Sequence, residues 1–176
     1  MSYGTTQLEA SFRTVRKHTI TIAEEIPAEK YTFKAAPDVK NVGEMLAHIA
    51  VSPRSQIILH RERITMVDFG KYSDNMARRM ADEQALRSKD EIVAALREGG
   101  EQFAAFLAGL SPQTLEEVVS FPPPVQPSQR TRFEMVLSVK EHEMHHRAQL
   151  MLIERMIGIV PHLTRQREAF AAQVRA

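Results

Sequence analysis

Lys140-Glu141-His142-Glu143-Met144-His145-His146-Arg147-Ala148-Gln149-Leu150 is the stretch on which the reading of this chain turns. Three of the seven histidines fall within five residues of it, in a window whose spacing is helical. Positions four apart on an α-helix lie about 40° apart around the axis and about 6 Å along it. His142 and His146 can therefore reach one point in space, and neutral imidazole is the commonest metal ligand. The plainer alternative is a histidine cluster on the surface of an amphipathic helix. Which side of the helix faces inward separates the two.

The helix around this stretch opens at a capping box, Thr131 with Glu134, and stops at Gly158 and Pro161. Its apolar seam runs Met135, Val139, His142, His146, Gln149, Ile153 and then Met156 or Ile157. His142 and His146 thus take consecutive places on the inward stripe. His145 lies about 60° from His142, at the stripe's edge. Glu143 and Arg147 are expected on the outer flank as an i,i+4 pair.

Upstream, Leu8, Phe12, Val15, Thr19, Ile22 and Ile26 form the seam of a first helix that Pro27 ends. Residues 31–40 read as a loop, with Phe33 a core anchor. A second helix is expected from the cap Asn41, with Glu44, to about Phe69, kinked at Pro53. Its seam is Met45, His48, Ser52, Ser55, Leu59, Glu62 and Met66. Half of these are polar, which suits the wall of a pocket better than a closed core. Residues 70–87 are dominated by charges and read as a loop with a short helical turn. Ser88 and Glu91 cap a third helix with the seam Ile92, Leu96, Gly99, Phe103, Phe106 and Leu110, ending near Gly109 and Pro112. Gly99 and Gly100 inside it cost about 1 kcal/mol each relative to alanine, so a close helix approach or a kink is expected there. Phe121 to Pro127 is an extended crossover, and Leu163 to Val174 a short amphipathic tail helix. The fold class is all-α, a four-helix bundle with a short extra C-terminal helix, in one domain over residues 1–176.

Composition narrows the function classes. A chain of 176 residues with 43% hydrophobic and 26% charged residues fits one globular domain. A net charge of +1 gives no footprint for nucleic acid or an anionic membrane. The absence of cysteine excludes disulfides, thiolate ligands and an internal thiol nucleophile. The polar start Met1-Ser2-Tyr3-Gly4-Thr5-Thr6 has no signal-peptide pattern, and no apolar run has the length of a membrane span, so the cytoplasm is the expected compartment.

Buried imidazoles are costly unless each ring nitrogen finds a partner. His48 faces inward beside Ser52 and Ser55, and with His142 and His146 makes a three-nitrogen set with room for water or substrate. The alternative is three core histidines bonded to carboxylates such as Glu44. His18, His60 and His162 fall off the seams and are expected in solvent. His142-Glu143-Met144-His145-His146 also matches H-E-x-x-H, in which the glutamate of a zinc peptidase is the general base. That chemistry requires Glu143 to face the metal, a third ligand downstream and a sheet edge, and no strand pattern is visible. A di-iron carboxylate bundle needs two Glu-x-x-His motifs, and only Glu143 to His146 provides one.

Several stretches together resemble the DinB-like superfamily, the damage-inducible proteins and thiol S-transferase relatives built on a metal-binding four-helix bundle. They are Tyr31 to Pro37 leading into Asn41-Val42-Gly43-Glu44-Met45-Leu46-Ala47-His48-Ile49-Ala50, then His142 to Leu150, then Gly158-Ile159-Val160-Pro161. An L-x-H-I motif followed by H-x-x-H-H-R-x-Q carries the resemblance. Ala148 stands where glycine is common, and His162 where a second proline often follows Pro161. The resemblance implies a divalent metal, zinc or nickel, on His48, His142 and His146, the set selected by the seams. It also implies a transferase acting on a low-molecular-weight thiol, with the electrophile over a wall of Ser52, Ser55 and Gln149, and with His145 or Glu62 as the acid/base group. A stress-associated metal or small-ligand binder without turnover, and a metal-dependent hydrolase, stand beside it. Homodimers are common in such bundles, and Met144, Met151 and Leu152 outside the seam leave apolar surface for pairing.

Overall fold

In the computed structural model, which describes residues 3–175 (at 71 and 72 the backbone only), four long helical segments form the bundle. Met1 and Ser2 of the polar N-terminal hexapeptide lie outside the described residues. Helix α1 spans Thr5–Glu25, α2 Val42–Val51, α3 Pro53–Arg61, α4 Phe69–Ala85, α5 Lys89–Ala108, α6 Pro112–Glu116, α7 Arg132–Met156 and α8 His162–Arg175. Around the ring, α1 packs on α5 and α7, and the α2–α3 rod packs on the same two, so α1 stands across the bundle from α2–α3. α4 lies over α2, and α8 against α1.

The caps read from the sequence are in place. Asn41, Ser88 and Thr131 each accept the backbone N–H three residues on, and Glu44, Glu91 and Glu134 bond back to the cap amides. The α1 seam is buried from Leu8 to Ile26, and Phe33 packs against the core as an anchor should. Two apolar clusters fill the ends of the bundle. One gathers Ile22, Leu46, Ile49, Leu96, Leu150 and Ile153; the other Phe12, Ile57, Phe103, Leu107, Val136 and Val139. Between them lies a polar layer in which Arg16 and Glu143 meet, both almost fully buried. The glycines serve this layer. A Cβ on Gly99 would stand 2.8 Å from the Ala50 carbonyl oxygen, and one on Gly100 2.8 Å from the Arg16 Cγ.

Three expectations are corrected. The helix opening at Asn41 is two helices: Ser52 is the joint, Pro53 occupies the first turn of α3, and the rod stops at Arg61 rather than near Phe69. Arg63 takes the left-handed conformation, φ 54°, and the chain leaves the axis. Beyond it Val67 donates to the Ser120 carbonyl, and Ser120 to that of Thr65. Residues 64–68 therefore serve as an edge for a small antiparallel hairpin, β1 Val118–Ser120 with β2 Gln129–Thr131. That hairpin is the second correction, since no strand pattern is visible in the sequence. The third is α4, where a loop is expected: its residues are rich in Ala, Met, Arg, Glu and Gln, all good helix formers, and Arg79 meets Glu83 one turn on.

Candidate metal centre

α2 supplies His48 and α7 supplies His142 and His146, across the one seam where the two helices touch. The three Nε2 atoms converge: His142 Nε2 lies 3.0 Å from that of His48 and 3.1 Å from that of His146. Among the described residues this is the one group of three or more His, Asp or Glu whose ligand atoms all lie within 4.8 Å of one another. All three side chains are half-buried.

The outer ring nitrogens fix the protons. His48 Nδ1 bonds Glu83 Oε1 at 2.8 Å. Burial works to raise the Glu83 carboxyl, but the hydrogen bond and charge of His48, then Lys40, outweigh it and hold it below the usual range. Glu83 is thus an ionised acceptor, so Nδ1 of His48 carries the proton and Nε2 a lone pair. His146 Nδ1 bonds Gln149 Oε1 at 2.8 Å and is placed the same way. Two lone pairs therefore face His142 Nε2, whose single N–H can satisfy only one of them. Burial and the neighbouring His146, His48 and Arg79 push His142 down to about 4, and burial lowers His146 too, so these two rings of α7 stay neutral at pH 7. A nest of imidazole lone pairs without enough protons is what a divalent cation fits.

A cavity of about 520 Å³ opens on the His142 side, lined by Ser52, Ser55, Leu59, Glu62, Val67 and Val139 among others. Ser52 donates to the His48 carbonyl and Ser55 to that of Ser52, which leaves their oxygen lone pairs free to face a ligand. Glu62 is exposed at the cavity wall. Gln149 holds His146 and is not among the lining residues. His145 is exposed, its ring 5.1 Å from that of His146.

Glu143 overturns its expected place. It is 2% exposed and accepts from Arg16 Nε and Nη2 at 2.9 Å, instead of pairing with Arg147 in solvent. α7 has two inward sides because it touches both α1 and α2, and Glu143, about 60° from His146, faces α1. The off-seam histidines are corrected as well. His60 is 3% exposed, bonded to the buried Arg132 and stacked on Phe106. His162 is 4% exposed, and its Nε2 lies 2.9 Å from Nδ1 of the half-buried His18. Glu44, the carboxylate expected beside the histidines, caps α2 instead. Glu83 takes that place, and the sequence reading missed it because it lies on α4; its one signal is the i,i+4 pairing with Arg79.

A model of the DinB superfamily matches residues 11–150. The chain belongs to the DinB superfamily. Among solved structures, this DinB-superfamily chain is similar to the DinB-like protein YjoA of Bacillus subtilis, at 20% identity and TM-score 0.64 over 86% of this chain and 92% of that one. It is also similar to Bacillus subtilis YfiT, described as a probable metal-dependent hydrolase with an unusual four-helix bundle topology, at 16% identity and TM-score 0.69 over 90% of each chain. No curated protein matches the sequence. Among the described residues no helix is long and apolar enough to cross a membrane.

Proposed function

We propose that this chain is a divalent-metal-dependent transferase joining a low-molecular-weight thiol to a small electrophile, with His48, His142 and His146 as ligands of zinc or nickel. The observation that carries it is the convergence of three imidazoles beside an open cavity, with no fourth protein ligand in the group among the described residues. A closed, purely structural site would have that fourth ligand. A divalent cation bound there lowers the pKa of a thiol or water reaching the open position and so supplies a nucleophile at neutral pH.

The protein's own groups do the rest. Glu83 and Gln149 hold two of the rings in the tautomer that ligation needs. Leu59, Val67 and Val139 exclude water from the cavity, and Ser52 and Ser55 offer acceptors to the electrophile. The substrate sulfur forms the new bond to the electrophilic carbon, whose leaving group departs with the electron pair. His145, beside His146, takes the thiol proton. With no cysteine in the chain the sulfur comes from the substrate. Two copies pair through the outer face of α7, where Met144 and Leu152 are exposed; Met151 packs onto the core instead.

Hydrolysis is the second reading, favoured by the exposed carboxylate of Glu62 at the cavity wall and by the description of YfiT. Its peptidase form is not supported, because Glu143 is bonded to Arg16 inside the bundle. Calorimetric titration of small thiols into metal-loaded protein separates the two readings. Binding of at least one thiol is expected; none binding, with the metal present, sinks the transferase. Protein purified without added metal should carry about one ion per chain, and His146→Ala far less. Unchanged metal content in that variant would refute the ligand set.

A further inference from the structure

The three histidines sit between two cavities. His142 lines the one described above, and His48 lines a second of about 560 Å³. Met76 and Arg79 of α4 line both, so one turn of that helix is the partition. The two chambers differ in charge. On the His142 side the charged groups besides Arg79 are Glu62 and Asp68. On the His48 side Lys40, Arg79 and Arg87 stand against Glu44 and Glu83.

Both acids of the second chamber are engaged. Glu44 accepts the amide of Asn41, and Glu83 accepts from His48 and, at 3.3 Å, from Lys40. The cations are less well served. Arg79 Nε is buried without a hydrogen-bond acceptor, 3.5 Å from the Glu83 oxygen that His48 already uses. Its Nη2 rests on the sulfur of Met76, a weak acceptor. Among the described residues the guanidinium of Arg87, exposed at the rim, has no hydrogen-bond partner, while its backbone amide donates to Glu91. A guanidinium keeps its charge and presents donors in a planar fork, so a half-buried one whose donors are served only by a distant shared carboxylate and a sulfur gains from an anion that meets the fork.

We propose that the His48-side chamber binds the carboxylate end of the substrate, with Arg79 as its bidentate anchor, Arg87 and Lys40 at the rim, and the reacting end at the three histidines. The match is geometric, because a carboxylate takes two parallel N–H bonds from one guanidinium. The other chamber, walled by Leu59, Val67 and Val139 and bearing the exposed Glu62, is less suited to that charge and is left for the second reactant. This rests on the transferase reading in making the substrate a thiol that carries a carboxylate; carboxylate binding is measured apart from it.

The probes are mercaptosuccinate, 2-mercaptoethanol and succinate, titrated calorimetrically into metal-loaded wild type, Arg79→Gln and Arg79→Lys, with bound metal quantified in each. In wild type, mercaptosuccinate should bind at least about ten-fold tighter than 2-mercaptoethanol, the scale of a charge-assisted bond. Arg79→Gln should remove that advantage and leave both 2-mercaptoethanol affinity and metal content unchanged. Arg79→Lys should restore part of it, which a disturbed fold would not do. Succinate should compete in wild type and not in Arg79→Gln. If neither thiol binds while succinate still binds through Arg79, the transferase reading fails and the carboxylate chamber stands. Succinate that does not bind wild type, or binds Arg79→Gln equally well, overturns the chamber.

Discussion

Glu143 and Arg16 are charged residues placed where a bundle ordinarily keeps leucines, and their setting is why they are tolerated. Arg16 donates to both Glu143 oxygens, to the Leu96 carbonyl at 2.8 Å and to the Ile49 carbonyl at 3.4 Å. One guanidinium thereby ties α1 to α7, α5 and α2. Removing one partner of a buried pair leaves the other charge without compensation, a loss of about 3–5 kcal/mol. Glu143→Gln should therefore lower the urea midpoint by that order while leaving metal content unchanged. A variant that stays fully stable but loses its metal would return Glu143 to the metal centre. His60 is buried on similar terms: burial, then the adjacent Arg132, pushes it down to about 4, so it is a neutral acceptor for that arginine, whose Nε donates to Glu117.

Among the elements, α5 shows best how packing overrides local preference. Alanine is a better helix former than glycine by about 1 kcal/mol, so propensity alone favours Gly99→Ala. The α2 backbone lies where that Cβ would go, however, with the Ala50 carbonyl oxygen 2.8 Å away. Overpacking of this kind costs about 1–3 kcal/mol. Gly99→Ala should lower the melting temperature, whereas Gly109→Ala, whose added carbon meets only ordinary contacts at 3.6 Å or beyond, should not. Equal effects of the two would show that α2 and α5 are not held in close contact. The other lesson at this scale is α4. It buries little, so it leaves a faint apolar stripe, yet it carries both Glu83 and Arg79.

For the whole molecule, the docking of α8 over α1 and α7 encloses a second polar cluster. Glu154 is fully buried, and neither oxygen has a hydrogen-bond partner among the described residues. Burial, then the charge of Glu25, raises its carboxyl to about 7. The unfolded chain has this group near about 4.3. Between those values the folded state holds the extra proton. The stabilising contribution is therefore complete below about pH 4, is lost as pH rises to about 7, and changes no further above that. The loss is on the order of 4 kcal/mol at most. The lowered histidines His60 and His142 act in the opposite sense, so the comparison with Glu154→Gln isolates the effect. The variant should gain stability over wild type at pH 8 and match it near pH 4, read from thermal melts across that range. A difference independent of pH would mean that Glu154 is ionised in the folded protein.

From the sequence alone came the helical class, the three capping boxes, the seams of α1 and α5, that of α7 as far as His146, and the inward placing of His48, His142 and His146. These follow from periodicity within single helices, which local spacing records directly. Beyond His146 the predicted seam residues Gln149 and Met156 are exposed and Leu150 is buried instead. What only the tertiary structure decided depends on a second face or a distant partner. Glu143 and the off-seam histidines are buried because α1, α5, α7 and α8 lie over positions that one helix's main stripe leaves out. The end of α3 at Arg61 and the hairpin arise together, because residues 64–68 exchange hydrogen bonds with a segment some fifty residues on. Glu83 joins the candidate centre because α4 folds back over α2, and spacing along the chain carries no record of that return.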